Sequence, residues 1–105
     1  MRAIRGEDDE AEARREGVAA LERLDWATAR TIWQQLAVAS PPNKHYRAQL
    51  GYARAGELLA AGESDKAREE LERVLRLEPA HEGAMGMLAT MRKRGGRISR
   101  WLLNR

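Results

Sequence analysis

Residues 50–79, Leu-Gly-Tyr-Ala-Arg-Ala-Gly-Glu-Leu-Leu-Ala-Ala-Gly-Glu-Ser-Asp-Lys-Ala-Arg-Glu-Glu-Leu-Glu-Arg-Val-Leu-Arg-Leu-Glu-Pro, decide the fold. Two helical patterns meet at a short break, Gly62-Glu63-Ser64. In the second, Ala67, Leu71, Val74 and Leu75 follow the i, i+4, i+7, i+8 spacing of one buried helix face. Ser64 is the expected N-cap and Pro79 the stop. Glu69/Arg73 and Glu72/Arg76 are expected to pair one turn apart on the outer face. The result is a helical hairpin of about thirty residues, which cannot bury its own apolar face and needs neighbours.

The neighbour on the N-terminal side is a second copy of the pattern. Ala29, Trp33, Leu36 and Pro41 stand 38 residues before Ala67, Leu71, Val74 and Pro79. One offset recurring four times with the same side-chain character is an internal repeat. The helix before it buries Ala13, Gly17, Ala20, Leu21 and Leu24 and starts near Ala11. Asp25 restarts the chain beside Trp26, and Ser40-Pro41-Pro42-Asn43 ends that helix. After Pro79, Met85, Leu88 and Ala89 begin a third unit that runs to about Arg94. Gly83 and Gly86 fall inside this helix at a cost of about 1 kcal/mol each against Ala. They are expected to mark a close helix crossing, within the fold in the first place and otherwise with a partner.

The hairpin resembles the tetratricopeptide repeat. Ala55, Leu58, Ala67, Leu71, Val74, Leu77 and Pro79 fit the family pattern, while Gly51 and Arg54 stand where it has bulky apolar residues. The resemblance covers about residues 11–94. It implies an all-α fold, a short α-solenoid of about two and a half helix hairpins. The family period is 34, so about four residues are inserted, and the loop around Pro42-Asn43-Lys44-His45 is the expected place. The resemblance also implies a concave groove lined by first helices: Arg14, Val18, Leu21, Gln49, Tyr52, Leu59, Met87 and Thr90. That set lacks the Lys and Asn arrangement by which chaperone-binding members hold a terminal carboxylate. A helix or extended segment with apolar anchors is the better ligand. Met87 and Met91 share a face of adaptable, polarizable side chains.

The totals agree with one small helical domain. The chain has 105 residues, three Trp, two Tyr, no Phe and no Cys. Thiolate metal sites and disulfides are therefore excluded. No run of apolar residues is long enough to span a membrane, and the N-terminus lacks the apolar core of a secretory signal. A cytoplasmic location, with a membrane surface reached only through the tail, is the corresponding expectation. The net charge of +3 hides an asymmetry: residues 92–105 carry six Arg or Lys and no acid. The basic character therefore belongs to the C-terminal end and not to a nucleic-acid-binding domain.

Candidate chemistry is sparse. His45 and His81 both fall in interrepeat loops and read as surface residues, with no convergent metal partners. The Glu residues alternate with Arg on outward faces, and no glycine-rich phosphate loop exists. The sequence therefore indicates no catalytic residues, no cofactor, no metal and no enzyme. It indicates a protein–protein interaction module, an adaptor or accessory subunit of a larger assembly, with self-association among its options. The chain divides into an acidic arm (1–10), the repeat domain (11–94) and a basic amphipathic tail (95–105) set off by Gly95-Gly96. In the arm, Glu7-Asp8-Asp9-Glu10 suits the positive end of a helix dipole. In the tail, Ile98, Trp101 and Leu102 follow i, i+3, i+4 spacing beside Leu103, among Arg97, Arg100 and Arg105. So short a segment orders only against something else. It could cap the solenoid, bind a partner, or lie on an anionic membrane as the anchor of a peripheral adaptor.

Overall fold

A computed structural model describes the backbone of residues 4–103 and the side chains of residues 4–94. Five helices follow one another: α1 (Glu7–Glu22), α2 (Trp26–Ala39), α3 (Lys44–Ala60), α4 (Ser64–Leu77) and α5 (Glu82–Leu103). No strand occurs among the described residues. Each helix packs on the next in the chain, α1 on α2 through α4 on α5, so the molecule is an α-solenoid of elongated form, 59 × 23 × 18 Å.

The 38-residue offset sets the helix ends as well as the core. Trp26 and Ser64 open α2 and α4, and Ala39 and Leu77 close them. Glu22 and Ala60 close α1 and α3, and Lys44 and Glu82 open α3 and α5. Both connections between hairpins are four residues long, and Lys44 and His45 already belong to α3. The expected loop insertion is therefore absent. The extra length lies in the first helix of the hairpin, α3, which has 17 residues against 14 in α4.

The core is thin and rich in alanine. Ala13, Ala20, Ala29, Trp33, Leu36, Tyr46, Leu50 and Ala53 form one cluster. Ala48, Ala55, Leu71, Val74, Ala84 and Leu88 form the second. Small residues let the helices approach, and a few large side chains fill what remains. The large ones sit on glycines. A Cβ at Gly17 would stand 2.7–2.9 Å from the Trp33 indole, and one at Gly51 2.7 Å from Val74. Where the repeat pattern has a bulky apolar residue, Gly51 thus leaves room for the Val74 side chain to come close. Trp33 is 1% exposed, and its indole Nε1 has no hydrogen-bond partner.

Several local expectations change. Ser64 is the first residue of α4 and not its cap; Glu63 occupies the cap position without a side-chain bond to the helix N–H groups. Asp25 caps α2 by accepting from the Thr28 N–H, and Asn43 caps α3 by accepting from the Tyr46 N–H. Arg73 donates to Glu70 and not to Glu69, three residues away instead of four. The helix at the N-terminus starts at Glu7, not Ala11, so the acidic block is its first turn, where its charge suits the helix dipole. Gly95-Gly96 does not break the chain, because α5 continues through both to Leu103. The side chains of Arg97, Ile98, Arg100, Trp101, Leu102, Leu103 and Arg105 lie outside the described residues.

Candidate protein interface

Tyr52 organises the surface that α3 and α5 share. Its ring meets Trp26 edge to face at 5.4 Å and 89°, and meets His81 at 5.0 Å. Gly83 admits it, since a Cβ there would lie 2.8 Å from the Tyr52 ring. Burial pushes the Tyr52 hydroxyl above the usual phenol range. Trp26 rests in turn on Gly56, where a Cβ would overlap the indole. Two aromatic rings, each backed by a glycine, thus form one wall of a groove.

The groove has a volume of about 780 Å³. Leu24, Trp26, Tyr52 and Leu59 line one side, and Gly83, Gly86, Met87, Thr90 and Met91 of α5 line the other. Arg68, Glu82 and Arg94 supply its charge, and Ser64 completes it. Mostly apolar walls with a few charged groups suit a helix or extended segment of another protein.

Of the residues expected to line a single groove, the structure brings Tyr52, Leu59, Met87 and Thr90 together. Arg14 and Val18 line a separate notch with Ala11, Arg15, Trp33 and His45. There Arg14 donates to the Tyr46 hydroxyl at 2.9 Å, and that hydroxyl donates to Glu10 at 2.5 Å. The hydroxyl raises the Arg14 pKa, while burial first and the Glu10 bond next raise that of Tyr46. Leu21 packs against the first core cluster. Gln49 is turned inward, to His81. Trp26 and Arg68 were missed because first helices alone were expected to line the groove, and Leu24 because it was expected on the buried side of the first helix, whereas it is an exposed turn residue beyond the end of α1. Trp26 had a signal, its place beside the break at Asp25.

Both histidines differ from the loop-surface expectation. His45 lies in the first turn of α3, where its Nδ1 is 2.8 Å from Glu78 Oε2. His81 is buried, 7% exposed. Its Nδ1 accepts the Ala84 N–H at 3.0 Å, and its Nε2 lies 2.6 Å from Gln49 Oε1. The ring is therefore neutral, with the proton on Nε2, and caps α5 while tying it to α3. Gly83 makes the close crossing foreseen for it, but Gly86 does not: nothing lies within 4 Å of a Cβ built there.

Among the described residues, no cluster of three His, Cys, Asp or Glu could hold a metal ion. No helix among them is long and apolar enough to cross a membrane. Sequential helix hairpins in a 38-residue register define a short helical-repeat protein. Residues 47–91 match the family model for the tetratricopeptide repeat. The match spans most of α3, all of α4 and the first half of α5, and the helix ends of α1 and α2 keep the same 38-residue register. No curated protein and no solved structure matches the chain. Repeats of this family generally mediate protein–protein interaction and are generally not catalysts.

Proposed function

We propose that the chain is a non-enzymatic adaptor or accessory subunit that docks an apolar helix or extended segment in the groove between α3 and α5. The observation that carries this reading is the groove itself: about 780 Å³ walled by Trp26, Tyr52, Leu59, Met87 and Met91. Aromatic residues and methionine are the side chains that protein interfaces favour, and a concave apolar surface gives them a pocket to anchor in. Arg68, Glu82 and Arg94 give the bound segment a direction.

Thr90→Arg tests the reading, because Thr90 is an exposed groove residue whose replacement leaves the core intact. Intact chain and variant would each capture proteins from a lysate of the source cells, with an Arg54→Glu variant on another face as control. Loss of the same captured protein with Thr90→Arg alone supports groove docking. Equal capture by all three chains sinks it.

A further inference from the structure

The groove's charge is divided between its ends. Connections of four residues make neighbouring helices antiparallel. Arg68, near the start of α4, and Arg94, about 18 Å along α5 from Glu82, therefore stand at one end of the groove with Leu59 and Ser64. Glu82, which opens α5, stands at the other. Both arginines are exposed, as are Arg92 and Lys93 beside Arg94, and residues 83–105 contain no acid. The acids that flank the α3–α4 turn, Glu57 and Glu63, are paired to Arg30 and Lys66. Arg68 meets Asp65 only at 3.7 Å, and that carboxylate is 95% exposed, so the pair is a loose one. One end of an apolar groove is thus cationic, with two guanidinium groups facing a common space.

The floor of the groove has a vacancy of its own. Large side chains on this molecule settle on helical glycines: Trp33 on Gly17, Val74 on Gly51, Trp26 on Gly56 and Tyr52 on Gly83. Among the helical glycines whose surroundings are described, Gly86 alone has nothing within 4 Å of a Cβ built on it. It lines the groove, one turn from Gly83 and Thr90. A glycine inside a helix weakens it, and at the other four positions a seated side chain accounts for it. The position over Gly86 is open to a large side chain that the described residues do not supply, and it lies about 12 Å along α5 from Arg94.

We propose that the groove's partner is an acidic amphipathic segment, with a large apolar side chain seated over Gly86 and carboxylates held by Arg68 and Arg94. This rests on the groove being the docking surface and names the chemistry of its occupant. Guanidinium groups recognise carboxylates through paired N–H donors, and apolar walls beside them strengthen the contact by excluding water. Glu82 repels an acid at the opposite end, so the charges fix the direction of the bound segment as well as its sign. A basic segment entering the same groove meets the two arginines at that end and is rejected.

Selection from a library of random peptides of about twelve residues, a helix long enough to span Glu82 to Arg94, tests this. The baits are the intact chain, Thr90→Arg, Gly86→Gln and the charge-reversed Arg68→Glu/Arg94→Glu. All four positions are exposed, so the variants keep the fold, which circular dichroism verifies. The intact chain is expected to enrich peptides that join a large apolar residue to Asp or Glu, and Thr90→Arg is expected to lose them. The charge-reversed chain is expected to enrich Lys or Arg in their place. By fluorescence anisotropy, the strongest peptide from the intact chain should bind Gly86→Gln and the charge-reversed chain more weakly by about tenfold or more. Peptides that Thr90→Arg loses but that carry no acidic bias, or that bind the charge-reversed chain equally well, overturn the proposal and leave the groove as the docking surface. Peptides that Thr90→Arg retains, or no enrichment on any bait, overturn both. If sedimentation shows a dimer of the intact chain that Thr90→Arg dissociates, the occupant is a second copy and the acidic partner is wrong.

Discussion

Trp26, the first residue of α2, lies with its indole directly on Gly56 of α3, at a site with no room for a Cβ. This contact fixes how closely the two helices approach, and it sets Trp26 against Tyr52 to form the groove wall. Gly56→Ala would force the ring or the helix aside and is expected to destabilise the fold by about 2 kcal/mol. In a Trp26→Ala background the obstruction is gone, and the better helix propensity of Ala should make Gly56→Ala stabilising by about 1 kcal/mol. Urea unfolding of the four proteins measures the coupling. An unchanged sign in the second background would show that the glycine serves something other than the tryptophan.

The two turns inside the hairpins each carry one favourable residue and lack the other. Leu24 and Gly62, 38 residues apart, both adopt positive φ, 60° and 82°. Glycine accepts that conformation freely, whereas leucine is strained in it. In the next position Asp25 caps α2, while Glu63 caps nothing. Leu24 is 64% exposed, so removing it costs little packing. Leu24→Gly and Glu63→Asp are each expected to stabilise by about 0.5–1 kcal/mol, and Gly62→Ala to destabilise by about 1 kcal/mol. The Glu63–Lys66 pair lost in the second change is a surface pair of small worth. Melting temperatures of the three variants check the set, and a fall in the first two would refute the turn argument.

The second helices were legible because their stripe repeats residue for residue: Ala, Trp or Leu, then Leu or Val. Its first three positions are buried in both copies, and its fourth, Ala37 or Leu75, is half-buried. The groove was legible only in part. Its α3 and α5 residues follow from register, but Trp26 and Arg68 enter it from the starts of α2 and α4, a geometry that no single-helix pattern contains. His81 follows a proline turn and resembles a loop residue; only the packing of α5 on α3 buries it. The course of α5 through Gly95-Gly96 was missed for a different reason. Two glycines weaken a helix by about 1 kcal/mol each, which lowers its stability without dictating a break.

Tyr46 ties the first helix to the third. Its ring is buried, 1% exposed, while its hydroxyl bridges Arg14 and Glu10 of α1. Tyr46→Phe keeps the packing and removes the bridge. A loss of about 1 kcal/mol is expected, because Arg14 and Glu10 still meet each other at 3.2 Å on the surface. The loss should vanish in an Arg14→Ala/Glu10→Ala background, as chemical denaturation would show. A loss that survives there would assign the cost to packing.

His81 makes the stability of α5 depend on pH. Burial is the first cause that lowers its pKa below the ordinary 6.5; nearby Glu78 opposes the shift, and nearby His45 adds to it. The neutral ring is also the form that caps, because a proton on Nδ1 would displace the Ala84 N–H. Above the unfolded pKa both states hold a neutral ring and the full contribution is present. As pH falls below about 6.5 the unfolded chain takes up a proton that the folded chain refuses, so stability declines until the folded pKa is reached. His81→Asn keeps a capping acceptor without the titration. The intact chain should therefore lose melting temperature between about pH 7.5 and pH 5, and His81→Asn should lose less over the same range. Hydrogen exchange at Ala84 and Met85 should report the loss first, because their N–H groups are held by the His81 ring and carbonyl. If both proteins decline equally, acid sensitivity lies elsewhere, and the buried histidine is only a spacer between α3 and α5.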